Sequence, residues 1–235
     1  MTDDERSKGG TPIFRHRDTA PKWRGIVHAD DERICAHLDC VHGGERHVLH
    51  EIASDRVHVD VHVLAPTKKH PFWLLATSGM SAMPMNVPAA MPDAASWKHA
   101  ELCILLPPNW SPSQETLEDE RVYWPVRLLK KLARIPHDFS TWFGLGHSIP
   151  NGDPAEPYAP GTQLAGAVLI PPFIFGEALF VVPGAPKMHF FQVLPVTAAE
   201  MNLKLERGLD GAFEVLEKRF PDLYGPVDQL RPSAV

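Results

Sequence analysis

The spacing of apolar and polar positions changes several times along this 235-residue chain, and each change predicts an element. Residues 1–20 mix charges of both signs with Gly9 and Gly10 and show no period, which reads as a mobile tail. In "DDERICAHLDCVHGG", Ile34, Leu38 and Val41 recur at helical spacing, with acidic residues leading the segment and Gly43 and Gly44 ending it. "ERHVLHEIAS" then leads into "RVHVDVHVLAP", where Val57, Val59, Val61 and Val63 alternate with His58, Asp60 and His62. Successive side chains on a strand point to opposite faces, so the valines face a core and the polar residues face elsewhere. "PFWLLATS" and "AELCILLPP" are apolar without alternation, the pattern of strands covered on both faces.

Helical spacing returns in "VYWPVRLLKKLARIP", with Pro125 early and Pro136 closing the helix. Val126, Leu129, Leu132 and Ala133 form its apolar stripe, and Arg127, Lys130, Lys131 and Arg134 lie largely on the solvated side. "QLAGAVLIPP", "EALFVVPG" and "MHFFQVLPV" read as three further strands. A last helix begins at "TAAEM", where Thr197 and Glu200 are spaced as a capping box. Its stripe runs through Met201, Leu205, Leu209, Phe213 or Ala212, Leu216 and Phe220. With strands in clusters, few helices, no repeat and no linker, the fold class is α+β. The expectation is a single domain over 21–225, a mixed and largely antiparallel sheet flanked by helices, with a loose tail at 226–235.

Composition narrows the function classes. At 44% hydrophobic and 22% charged residues the chain has material for a core. Its formal charge of −6 argues against nucleic acid as a partner, because phosphate binding needs concentrated positive charge. The acidic start is no secretory signal. The uncharged run at 159–176 is broken by Pro171 and Pro172, so no membrane span is expected. Cys35, Cys40 and Cys103 are an odd set that fits reduced thiols in the cytoplasm. The 24 prolines imply short elements joined by rigid turns.

Candidate chemistry is sparse. Cys35, His37, Cys40 and His42 are competent zinc ligands, but on a helix they point in different directions. "HEIAS" opens like a zincin signature and fails at Ser54, where a second histidine is required. His58, Asp60 and His62 share one strand face, so a metal-dependent hydrolase built on them stands as the enzymatic alternative to a polar strand face. Ser78 and Ser81 follow a strand, as nucleophiles often do, without a GxSxG pattern. Met80, Met83 and Met85 either make an adaptable apolar surface or pack within a turn. "GLGHSIPNGDP" spells a turn through Asn151-Gly152, with His147 placed to tie it to the domain.

Taken in order, "VLHEIASDRVHVDVHVLAPT", "LLATSGMSAMPMNVP", "AELCILLPPNW", "YWPVRLLKKLARIPHDFSTWFGLGHSIPNGDP" and "LPVTAAEMNLKLERG" resemble the suppressor of fused family, over roughly residues 24–220. The likeness is to its stand-alone bacterial members. The resemblance implies an α+β domain without catalytic activity or cofactor. In animal relatives a partner segment is clamped between two lobes, and this chain corresponds to the first. Bacterial relatives are thought of as immunity proteins that neutralise a cognate toxin, or as cytosolic proteins of poorly understood role. The partner is thus expected to be another protein or peptide segment, with the oligomeric state open. The family's signature positions fall on His50, Ser54, Asp55, His58 and Asp60, on Ser78, Gly79, Met80 and Ser81, and on Trp124, His147, Pro150, Asn151 and Gly152. Together with Met83 and Met85, a subset of these is expected to line one partner-binding surface, the rival role being to fix turns and strand junctions. Ala82 stands where the family pattern carries an acidic residue.

Overall fold

The computed structural model describes residues 5–15, 31–51, 57–113 and 115–235. Its elements in chain order are α1 (Asp31–Val41), β1 (Arg46–Leu49), β2 (Asp60–Leu64), β3 (Trp73–Ser78), β4 (His99–Leu106) and α2 (Glu120–Asp138). After these come β5 (Ser148–Pro150), β6 (Leu164–Ile170), α3 (Glu177–Phe180), β7 (Val181–Val182), β8 (Met188–Thr197) and α4 (Ala198–Arg219). Among the described residues the strands form one eight-stranded sheet in the order β1-β2-β3-β4-β8-β6-β5, with β7 also paired to β8. Every pairing is antiparallel except β4 with β8. The class is α+β, as the clustering of strands implied.

The valine alternation sets the inner layer. Val57, Val59, Val61 and Val63 are buried with Leu75, Leu102 and Ile104. Against them pack Trp124, Val126, Leu129, Leu132 and Ala133 of α2, so the anticipated stripe is the buried one. The opposite face carries Leu74, Ala76, Cys103 and Leu105, covered by Ile34 and Leu38 of α1. Farther along that face Val168, Ile170, Leu194 and Val196 lie beneath Leu203, Ala212 and Leu216 of α4. Strands β3 and β4 are thus covered on both sides, which is why they lack alternation.

Four details differ from the periodic reading. "EALFVVPG" opens with the helical turn α3, because Gly176 redirects the chain and its carbonyl accepts from Phe180 N at 3.2 Å; only Val181 and Val182 pair as a strand. Pro136 does not close α2, which continues to Asp138, and Pro125 sits well inside it. In α4, Gly208 adopts φ 78°, a left-handed conformation that suits glycine and breaks the stripe. Leu209 is therefore 37% exposed, while Leu203 and Ala212 take the core positions. At that kink the Leu205 carbonyl accepts from Gly9 N at 2.8 Å. Finally, the segment after α4, expected as a loose tail, crosses back over the domain. Val227 N donates to Leu105 O at 2.9 Å, and Gln229 accepts from the indole of Trp124 at 3.0 Å.

Candidate binding surface

The signature residues gather at two places. The first is where β2 begins and β3 ends, since Asp60 pairs directly with Ser78 in the sheet register. Asp60 is buried and receives three contacts: His50 Nδ1 and His58 Nε2 at 2.9 Å, and Glu51 N at 2.8 Å. His62, two residues on, turns instead to Ser78 Oγ at 2.9 Å. Its other ring nitrogen lies 4.0 Å from Cys35 Sγ, to which Arg46 donates at 3.0 Å. His58 and His62 therefore do not converge on Asp60, and among the described residues no three His, Cys, Asp or Glu side chains gather to hold a metal. Along α1, Cys35 faces Arg46, His37 meets the Leu179 carbonyl and His42 stacks on His70, so these ligand types are dispersed as helical spacing requires. Ser54 and Asp55 lie outside the described residues.

The turn after β3 is built around Glu101, a carboxylate with no solvent exposure. One oxygen accepts from Gly79 N, Ser81 N and Ser81 Oγ at 2.9, 2.9 and 2.6 Å; the other accepts from Thr77 Oγ1 at 2.6 Å. Gly79 has φ 136°, and a Cβ there would sit 2.0 Å from His58 O, so the close approach of this turn to β2 requires glycine. His137 of α2 bonds the Met80 carbonyl at 2.7 Å, fastening the turn to the helix. Met80 and Met85 are buried in the core, and the Met85 sulfur accepts from Phe143 N at 3.3 Å; Met83 is partly buried. These methionines pack the turn and do not display an apolar surface. Reading by spacing missed Glu101, although a single charge inside the apolar run "AELCILL" was its signal.

The second place is the opposite edge of the sheet. Ser148–Pro150, inside the segment read as a turn, forms edge strand β5 against β6. Asn151 closes that edge: its N–H donates to Ala165 O at 2.8 Å and its side-chain amide to Glu156 O at 2.8 Å. His147 lies edge-on to Trp142, with ring centroids 4.5 Å apart. Burial, reinforced by the nearby Lys204 ammonium, pushes its pKa down to about 4 from 6.5. A histidine held neutral in the fold contributes stability that is present above 6.5 and lost as pH falls toward 4. Denaturant titrations are expected to lose about 3 kcal/mol over that window through His147 alone, and His147→Phe should flatten that part of the profile. Trp124 is fully enclosed, stacked on Tyr158 at 5.3 Å.

Helix α2 joins the two places. On one flank Arg134 pairs with Glu51, and Lys130 lies within electrostatic reach of Asp60. On the other, Lys131 donates to Asn151 Oδ1 at 3.3 Å and Arg127 to Tyr158 O at 2.7 Å. Between them runs an open, shallow trough of about 500 Å³ along α2, lined by Tyr123, Ile135, Asp138 and Phe139 together with the four basic residues. It adjoins, through Arg127, a second hollow of about 440 Å³ beside Pro157–Thr162. The basic residues at 127, 130, 131 and 134 are spaced to share one helix face, which was legible in the sequence; their role as a rim between two polar clusters was not.

The family model of the suppressor of fused protein matches residues 55–228. A suppressor of fused homologue from Neisseria gonorrhoeae has the same fold, with a TM-score of 0.63 and 15% identity over 87% of this chain and 96% of that one. A chain in the Sufu–Fu complex crystal structure aligns at a TM-score of 0.59 and 13% identity, covering 88% of this chain and 93% of that one. Drosophila Suppressor of Fused aligns at 0.57 and 13%, over 88% of this chain and 52% of its own. No curated protein sequence matches the chain.

Proposed function

We propose that this chain, which belongs to the suppressor of fused family, is a non-enzymatic domain that binds a segment of another protein and blocks it by occlusion. The observation that carries this reading is the long open trough on α2, lying between the two clusters of signature residues. The side chains with catalytic character support it in a different way. Ser78, His62, Ser81 and Glu101 are committed to one another or to backbone groups inside the fold. Their arrangement fixes the turn from β3 and the start of β2, and through His137 the seat of α2. Similarity to a protein crystallised as the Sufu–Fu complex points the same way. Within this reading the partner of a stand-alone bacterial-type member is a toxin, neutralised in the cytoplasm.

Affinity purification from the native host tests the proposal. A single polypeptide is expected at fixed stoichiometry, and the complex should re-form from the two purified components. Failure to re-form it, or hydrolase activity that appears with added zinc and disappears in His58→Ala, would overturn the reading.

A further inference from the structure

The trough also carries information about the chemistry of its occupant. The lining runs along α2 from Tyr123 to Phe139, about 24 Å at 1.5 Å per residue, which matches roughly seven residues of extended chain. It offers an aromatic and an aliphatic anchor in Tyr123 and Ile135. The four cations on its rim differ in how far they are already neutralised. Arg127 is paired with Glu120 and Arg134 with Glu51, so both are spent within the fold. Lys130 and Lys131 are not: among the described residues no carboxylate lies within ion-pair distance of either ammonium.

We infer that the α2 trough receives an extended, acidic peptide segment of the partner, with carboxylates placed against Lys130 and Lys131 and apolar side chains against Tyr123 and Ile135. This rests on the protein-binding reading above. Lys130 is half-buried, and burial holds its pKa below the usual lysine range despite the opposing pull of Asp60. A cation already stripped of part of its hydration is stabilised by an incoming carboxylate more than a fully hydrated one is. Glu120 at one end of the hollows and Asp138 at the other disfavour a longer polyanion such as nucleic acid, as does the net charge of −6. With only two unneutralised cations, the charges set register and specificity more than long-range steering.

A phage-displayed library of random twelve-residue peptides, panned on the full chain, provides the test. Enriched sequences should carry paired Asp or Glu flanked by large apolar residues. A fluorescein-labelled selected peptide should bind at least tenfold more weakly to Lys130→Glu/Lys131→Glu. The exposed change Lys131→Glu alone should cost several-fold with little change in thermal unfolding, and the double variant should still unfold in one cooperative transition. Swapping the peptide's acidic residues to lysine should restore binding to the double variant. Peptides without acidic enrichment, or binding indifferent to both substitutions, would overturn the inference. The same holds if anionic vesicles or single-stranded DNA compete for the site more strongly than the peptide. If the co-purified partner still binds the double variant unchanged, the broader reading stands and this site alone is wrong.

Discussion

Glu101→Ala is expected to lower the free energy of unfolding by about 4 kcal/mol. The reason is the number of donors aimed at one buried group. Without the carboxylate, Gly79 N, Ser81 N and Ser81 Oγ lose their acceptor in a place water does not reach, and Thr77 Oγ1 keeps only the Leu102 carbonyl at 3.4 Å. Glu101→Gln separates hydrogen bonding from charge. Its carbonyl oxygen can serve the three donors of the Gly79–Ser81 turn, and its amide can donate to Thr77 Oγ1, so the cost should be about 1 kcal/mol. Burial raises the Glu101 pKa, only partly opposed by the Ser81 and Thr77 hydroxyls. A raised carboxyl binds its proton more readily in the folded state, so its contribution to stability falls as pH climbs from 4.5 through the folded value. Glu101→Gln should remove that slope. Urea titrations from pH 4.5 to 8 read both effects; equal costs for Ala and Gln would refute the hydrogen-bond account.

Arg231→Ala should cost about 3 kcal/mol, because it leaves Glu200 buried and unpaired at the start of α4. The pair is bidentate, with guanidinium nitrogens 2.6 and 2.7 Å from the two carboxylate oxygens, and the residues are 9% and 2% exposed. The guanidinium also lies 4.6 Å over the Phe220 ring. Glu200 keeps Thr197 N and Ala234 N as donors, which limits the loss. The double change Arg231→Met/Glu200→Gln removes both charges and is expected to recover most of the stability, as replacing whole buried ion pairs generally does. Near-additive losses in this cycle would mean that Arg231 acts by packing on Phe220. Limited proteolysis offers a second readout: cleavage after α4 should accelerate in Arg231→Ala, since this contact fastens the C-terminal segment to the domain.

Such contacts mark where reading the chain stops being sufficient. The valines of β2 were legible because a strand repeats every two residues, and the stripe of α2 because a helix repeats every 3.6. The Thr197–Glu200 capping box was legible for the same reason: both partners sit within one turn and both of its bonds are present. The α4 stripe failed at Gly208, where a residue from the chain's far end occupies the kink. The methionines of "GMSAMPM" allowed either packing or display, and only the position of α2 over the turn turned them inward.

By itself the sequence determined the class of fold, the order of most elements, the inward faces of β2 and α2, and the family pattern. Those properties follow from neighbours within a few residues, whose geometry is fixed by the backbone's own period. The tertiary structure decided which polar groups meet. Thr77 and Glu101 are 24 residues apart, Glu200 and Arg231 are 31, and Glu51 and Arg134 are 83. A buried polar group must find a partner wherever packing brings one, so its role belongs to the assembled domain and leaves little trace in local spacing.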